Sequence, residues 1–133
     1  YNIMSYLVYL IISDNLYYIG MTNNFERRIQ QHNSMLSGGA KFTKKKSDWK
    51  PVCIIDGFIN KSEAMQCEWA FKNRRGNNFK GILGRIEYLN ILLKKNKWTS
   101  RSPFIIDQHL TIYITDNNRK YLDYTTIKEL YWD

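Results

Sequence analysis

The chain has 133 residues and carries 20 Lys plus Arg against 12 Asp plus Glu, a formal net charge of +8. That length suits one domain whose core needs neither disulfides nor zinc, and a composition 44% hydrophobic and 24% charged is that of a globular chain. The longest apolar run, Leu7 to Ile12, is too short to span a membrane. The basic surplus points to a polyanion, with nucleic acid ahead of an anionic membrane surface. Residues 1–100 hold 16 basic and 7 acidic side chains and residues 101–133 hold 4 and 5, so the surplus belongs to the body of the chain and not to a basic tail.

In chain order, Tyr6–Ile12 and Leu16–Met21 read as two strands around the turn cluster Ser13-Asp14-Asn15, which makes a hairpin. Thr22-Asn23-Asn24 offers N-caps, and Phe25, Ile29, His32 and Leu36 follow at helical spacing. A helix is therefore predicted over about 24–36, ended by Ser37-Gly38-Gly39. Lys41 to Lys50 is a basic loop, and Pro51–Phe58 is a third strand entered by a proline. Asn60-Lys61-Ser62-Glu63 resembles a capping box and opens a second helix that runs to about Asn73. After the loop Gly76-Asn77-Asn78, the spacing of Ile82, Ile86, Leu89 and Leu93 predicts a third helix over about 80–96. A strand at His109–Thr115, a turn at Asp116-Asn117-Asn118 and a short last helix at Thr126–Trp132 complete the chain. The order β-β-α-β-α-α, then β and α, defines an α+β fold with helices packed on a small sheet.

Cys53 and Cys67 each sit in an apolar run and read as buried hydrophobes in a reducing compartment. No Cys/His cluster has zinc spacing. No basic segment precedes Leu7–Ile12 and no small-residue cleavage site follows, so no signal peptide is expected. The chain begins at Tyr1, which makes Met4 a candidate start or the sequence a fragment.

Several residues carry candidate chemistry. Arg28 and His32, four apart, share a helix face with Arg27 near the helix start. Spacing alone favours a solvated basic face, and the functional reading is a phosphate clamp built on the planar guanidinium. Glu68 lies close to the apolar face made by Ala64, Met65, Trp69 and Phe71. It is either paired with Lys72 at i+4 or a ligand for a hard cation. Tyr9, Tyr17 and Tyr18 sit on paired strands, with Tyr17 and Tyr18 on opposite faces. In the loop, Lys41, Lys44, Lys45, Lys46 and Lys50 against Asp48 interleave with Phe42 and Trp49, a pattern that suits contact with nucleic acid.

Leu7-Val8-Tyr9, Tyr18-Ile19-Gly20, Thr22-Asn23, Arg27-Arg28, His32-Asn33, Gly38-Gly39-Ala40 and Glu68 stand in an order that resembles the GIY-YIG nuclease superfamily. Within it, Tyr18 to Asn33, Cys67-Glu68-Trp69-Ala70 and the stretch Asn96 to Pro103 resemble the Slx1-type structure-specific endonucleases, the last stretch being a linker after the nuclease core there. The resemblance covers about residues 6–103. It departs in having Leu7 where the family's first motif has Gly, and only Asn90 is a candidate for the active-site Asn that follows the metal-binding Glu in some members. The Cys-rich, RING-like zinc domain of Slx1 proteins has no counterpart in these residues.

The resemblance implies a three-stranded sheet flanked by helices, with a nuclease domain over 1–100 and an extension over 101–133 packed on it. It implies a structure-specific DNA endonuclease that hydrolyses phosphodiester bonds at flaps or junctions. Its catalytic residues would be Tyr9, Tyr18, Arg28, His32 and Glu68, and Glu68 would hold Mg²⁺, with Mn²⁺ as a substitute. Either Tyr9, favoured by the resemblance, or His32, favoured by its ordinary pKa, would be the general base. Arg27, Lys41, Lys44, Lys45, Lys46, Arg74 and Arg75 would contact the DNA backbone. The implied partners are branched or duplex DNA, with a protein scaffold or a second copy open and no membrane, at an intracellular site of DNA. The alternative is a non-catalytic module of the same fold that binds nucleic acid or a scaffold.

Overall fold

The computed structural model describes residues 5–73, 80–123 and 127–129. Strands β1 (Tyr6–Ser13) and β2 (Leu16–Thr22) form the expected hairpin, turning at Asp14-Asn15 with Asp14 in the left-handed region at φ 54°. Strand β3 (Lys50–Phe58) pairs antiparallel with the other side of β1. Two register shifts interrupt that pairing, one of them beside Pro51, whose missing N–H a regular ladder could not use.

The three-stranded unit is present, but the sheet does not stop there. Strand β4 (Thr111–Ile114) adds antiparallel to β3, and the backbone of β5 (Ile127–Glu129) adds parallel to β4. Among the described residues the order is β2-β1-β3-β4-β5, which leaves β2 at a free edge. The short last helix expected at Thr126–Trp132 is thus a strand over 127–129; its other residues lie outside the described ones. The neighbouring β4 offers an unpaired ladder there, and pairing with it outweighs local helical preference.

Helix α1 (Phe25–His32) lies against one face of the sheet; α2 (Lys61–Lys72) and α3 (Gly81–Leu93) lie against the other. Strand alternation divides β1 between them. Leu7, Tyr9 and Ile11 join Phe25, Trp49 and Ile54 on the α1 side, while Val8 and Leu10 join Cys67, Phe71, Ile86 and Leu89 on the other. Burial on both faces is why β1 reads as a continuous apolar run. Cys53 and Cys67 are free thiols in the second cluster, and burial pushes the Cys53 thiol up to about 12.

Local capping sets the helix ends. Asn24 Oδ1 accepts from the Arg27 N–H at 3.2 Å, and Asn60 Oδ1 accepts from the Glu63 N–H at 2.9 Å. Helix α1 stops at His32, four residues before the expected Leu36. Ser34 adopts φ 62°, its N–H bonds to the Gln31 carbonyl at 3.1 Å and the Met35 N–H bonds to the Gln30 carbonyl at 2.8 Å. This paired pattern reverses the chain before Gly38, and it leaves Met35 and Leu36 exposed. On α2, Met65 and Trp69 are exposed as well, so they belong to its outer surface and not to the expected apolar face.

The stretch Asn96 to Pro103 is no loose linker. Trp98 is buried in the α2/α3-side core, its indole N–H donates to Gln108 Oε1 at 3.2 Å, and Lys97 bridges to Phe104. Asn90 holds the tail, its Oδ1 accepting from the Asp123 N–H at 2.9 Å. If the tail is part of one core, Trp98→Ala will lower unfolding free energy by about 3–5 kcal/mol in urea titrations. A loss below about 1 kcal/mol would mark the segment as a mere connector.

Candidate active site

The site is built on the α1 side of the hairpin. Tyr9 points from β1 across Gly20, its register partner on β2. A Cβ on residue 20 would lie 2.6 Å from Tyr9 Cζ and closer still to the hydroxyl oxygen. Gly20 is therefore the residue that lets the phenol lie over the edge strand. Tyr18 lies on the same face, 6.4 Å from the Tyr9 ring, while Tyr17 faces the other core as strand alternation requires.

Tyr9 is 1% exposed, and its hydroxyl lies 2.6 Å from His32 Nε2. His32 itself is 0% exposed, with Nδ1 2.8 Å from Thr43 Oγ1. Thr43 Oγ1 donates its one proton to the Ala40 carbonyl at 3.0 Å. Thr43 must therefore accept from His32 Nδ1–H, which leaves the Nε2 lone pair to accept from the Tyr9 O–H. The directed chain Tyr9 to His32 to Thr43 to Ala40 follows from that one commitment. Thr43 gave no sequence signal; it was one residue of a basic loop, and only its return against α1 brings it to the imidazole.

The loop returns because its backbone is held. Asn33 pairs with Trp49 as a strand would, accepting from its N–H at 2.6 Å and donating to its carbonyl at 3.1 Å. The Trp49 indole donates to the Thr43 carbonyl at 2.8 Å. Gly39 packs so tightly on α1 that a Cβ would lie 3.1 Å from the Gln31 carbonyl carbon. Trp49 is thus buried and structural, whereas Phe42 is 37% exposed and stacks on Tyr18 at 6.2 Å with a 20° interplanar angle.

Arg28 is half-buried beside the phenol. Its Nε lies 3.4 Å from the Tyr9 hydroxyl, and one terminal nitrogen donates to Gln31 Oε1 at 2.8 Å and to the Gly38 carbonyl at 2.9 Å. The guanidinium is held by its neighbours, not left as a solvated face. Burial holds the His32 imidazole down to about 4, and the Arg28 charge adds to the effect. Burial also pushes the Tyr9 phenol well above its ordinary value, against the opposing pull of Arg28. Both groups are therefore neutral around pH 7.

Glu68 projects from α2 and forms an ion pair with Lys72 at 2.9 Å. The Lys72 ammonium lies 5.5 Å from the Tyr18 ring centre, so this end of α2 reaches the α1-side face near the free edge of β2. The Glu68 charge also acts on Tyr9, disfavouring ionisation of the phenol. Among the described residues no group of three or more His, Cys, Asp or Glu could cage a metal. The donor set is a single, partly exposed carboxylate, which suits a hard cation that keeps most of its waters.

The structure thus gathers Tyr9, Tyr18, Arg28 and His32, with Glu68 and its partner Lys72 at the same edge. Of the expected backbone-contacting cations, Arg27, Lys41, Lys44 and Lys45 are exposed. Lys46 pairs with Asp14 at 3.1 Å, which ties the loop to the hairpin turn. Arg74 and Arg75 lie outside the described residues. Asn90 is engaged with Asp123 at the tail.

A sheet packed on both faces thus carries a buried tyrosine–histidine pair, a held arginine and one carboxylate near its edge strand. The chain belongs to the GIY-YIG catalytic domain family, whose match spans residues 5–81. It is 47% identical over 72 residues to the structure-specific endonuclease subunit SLX1 of Phaeosphaeria nodorum, covering 51% of this chain and 20% of the relative. It is 50% identical over 91 residues to the SLX1 homolog of Brugia malayi, covering 68% of this chain and 24% of the relative. These SLX1 proteins are matched over only about a fifth to a quarter of their length. It is also 38% identical over 100 residues to the UPF0213 protein YsiG of Lactococcus lactis, covering 68% of this chain and 93% of that protein.

Two outcomes follow from the buried relay. Gly20→Ala will displace the Tyr9 ring and cost about 1–3 kcal/mol of stability, measured by urea unfolding. The depressed His32 value makes stability pH-dependent, because the unfolded imidazole binds a proton near pH 6.5 and the folded one only near 4. The contribution is complete above about pH 6.5 and is lost as pH falls towards 4, on the order of 3 kcal/mol. Unfolding titrations across that window should show this slope in the wild type and lose it in His32→Gln.

Proposed function

We propose that this chain is a metal-dependent DNA endonuclease domain that cuts phosphodiester bonds at branched DNA such as flaps and junctions. The observation that carries the reading is the hydrogen-bonded Tyr9–His32 pair with Arg28 on its open side and Glu68 at the same edge. Phosphodiester hydrolysis needs a proton acceptor for water, charge neutralisation and a template for the scissile phosphate. These side chains match those needs. The names of the SLX1 relatives favour DNA of particular structure over particular sequence.

Tyr9, 1% exposed, lies between Arg28 and His32, so the attacking water reaches its hydroxyl where Arg28 turns to the phosphate, and His32 stands behind it. His32 is fully buried with both ring nitrogens engaged, so its access to water runs through the phenol. As the Tyr9 oxygen takes a proton from water, its own proton passes to His32 Nε2. Arg28 favours the anionic form of Tyr9 and stabilises charge on the phosphate. Glu68 would hold Mg²⁺, with Mn²⁺ as a substitute, which supplies Lewis-acid stabilisation of the phosphate and leaving oxygens. Its carboxylate must exchange the Lys72 ammonium for that cation. Tyr18 packs against His32 at 5.0 Å and keeps water from it. Arg27, Lys41, Lys44 and Lys45 supply phosphate contacts that set affinity without reading sequence. The site of action is intracellular DNA, and a protein scaffold or a second copy is compatible with the exposed outer face of α2.

The test is cleavage of flap, junction and plain duplex DNA with Mg²⁺ and with the metal chelated. Branched DNA should be cut preferentially, and Glu68→Gln or Arg28→Ala should each lower the rate by about 100- to 1,000-fold. Tyr9→Phe should lose more activity than His32→Gln, since the latter removes only the second proton carrier. Unchanged rates in the Glu68 and Arg28 variants would overturn the reading in favour of a binding module.

A further inference from the structure

The free edge of β2 carries a second feature beside the proton relay. Tyr17, Tyr18, Ile19, Phe42, Lys72 and Arg85 line a cleft of about 360 Å³ there. Tyr18 and Phe42 form one wall as a near-parallel aromatic pair. Phe42 keeps 37% of its surface in solvent while Tyr18 and Trp49 hold the ring in place. Cations surround the opening. Lys45 Nζ lies 4.6 Å from the Phe42 ring centre and Lys72 Nζ 5.5 Å from that of Tyr18. The Arg85 guanidinium is buried, donates to the Phe71 carbonyl at 2.7 Å and lies 5.9 Å from the Tyr17 ring. Among the described residues no acidic side chain lines the cleft, and Glu68 lies next to it through its pair with Lys72.

We propose that this cleft is a subsite for one unpaired nucleobase next to the scissile phosphate, with Phe42 as its stacking residue and Lys45 and Lys72 on the flanking phosphates. The proposal rests on the endonuclease reading and adds to it the feature of the substrate that is recognised. A base inside a duplex is stacked on both faces and has none to offer to a protein ring. An unpaired base at a branch point has a free face, and stacking on an aromatic side chain accepts any base. Cations at the rim suit the phosphates on either side of such a base. The lysine cover is exchangeable, because a cation over an exposed ring gains little and gains more on a phosphate. Tyr18 is shared between this cleft and His32, and Lys72 between the cleft and Glu68, so a base held here lies beside the relay. Selection of branched DNA then has a local physical source: the site is filled only where the duplex ends.

The experiment measures binding of the full chain, with divalent metal chelated so that nothing is cut, to a fluorescently labelled flap DNA. A second flap DNA carries abasic tetrahydrofuran residues in the flap beside the branch. The abasic flap should bind the wild type about tenfold more weakly. Phe42→Ala should weaken the intact flap by a similar factor and show no further loss with the abasic one, and Phe42→Trp should restore the preference. Plain duplex binding and thermal melting should be the same in all three proteins, which separates lost stacking from misfolding. Equal wild-type affinity for the two flaps, or losses that multiply independently, would overturn the subsite and leave only phosphate contacts. Absence of Glu68-dependent cutting would overturn the endonuclease reading alone, because base-dependent binding is read without cleavage.

Discussion

The hydrogen bond between the Tyr9 hydroxyl and His32 Nε2 is the contact around which the α1 side of the molecule is arranged. Two polar groups removed from water cost free energy unless every donor and acceptor is matched. Here each is matched in turn, through Thr43 to the Ala40 carbonyl, and the loop from Gly38 to Lys50 is folded back to make that possible. Gly20 makes room for the phenol, Gly39 lets the loop approach the α1 backbone, and Asn33 fixes Trp49 as the loop's return point. A change at any of these positions would be felt at the relay.

The same burial sets the electrostatics. Desolvation moves Tyr9 up and His32 down, so a neutral pair persists where an exposed pair would not stay matched. Arg28 stands at the boundary, close enough to act on the phenol and held by Gln31 and Gly38. Glu68 comes from the opposite layer of the sheet. Its charge acts on Tyr9, and its partner Lys72 reaches the Tyr18 ring, because β2 is an edge strand whose border side chains from α2 can pass. An additional strand beyond β2 would have separated the carboxylate from the tyrosines. The sheet instead grows on its other side, through β4 and β5, and the β2 edge beside the tyrosines stays open among the described residues.

Much of this was legible in advance where the signal is local. The hairpin, the caps at Asn24 and Asn60 and the alternation that parts Tyr17 from Tyr18 each depend on a few adjacent residues. The boundary of α1 was not, because the left-handed Ser34 ended it where the apolar spacing continued to Leu36. Met65 and Trp69 looked like core residues and are exposed, since composition does not say which helix face meets the sheet. The tail read as helix where the backbone of residues 127–129 is strand, because the unpaired border of β4 is a tertiary partner invisible to a local window.

The sequence by itself determined the order of elements from β1 to β4, the basic body and the residue types that gather beside Tyr9, because those follow from residue type and short-range periodicity. It also carried the ordered motifs that mark the family. The tertiary structure decided which of these side chains meet and in what state. The tautomer of His32, the buried role of Trp49 against the exposed one of Phe42, and the placing of Lys72, the partner of Glu68, over Tyr18 at the β2 edge all depend on contacts between residues distant in the chain. Desolvation belongs to the same group: no spacing rule states how far a group lies from water, and that distance sets the protonation of the site.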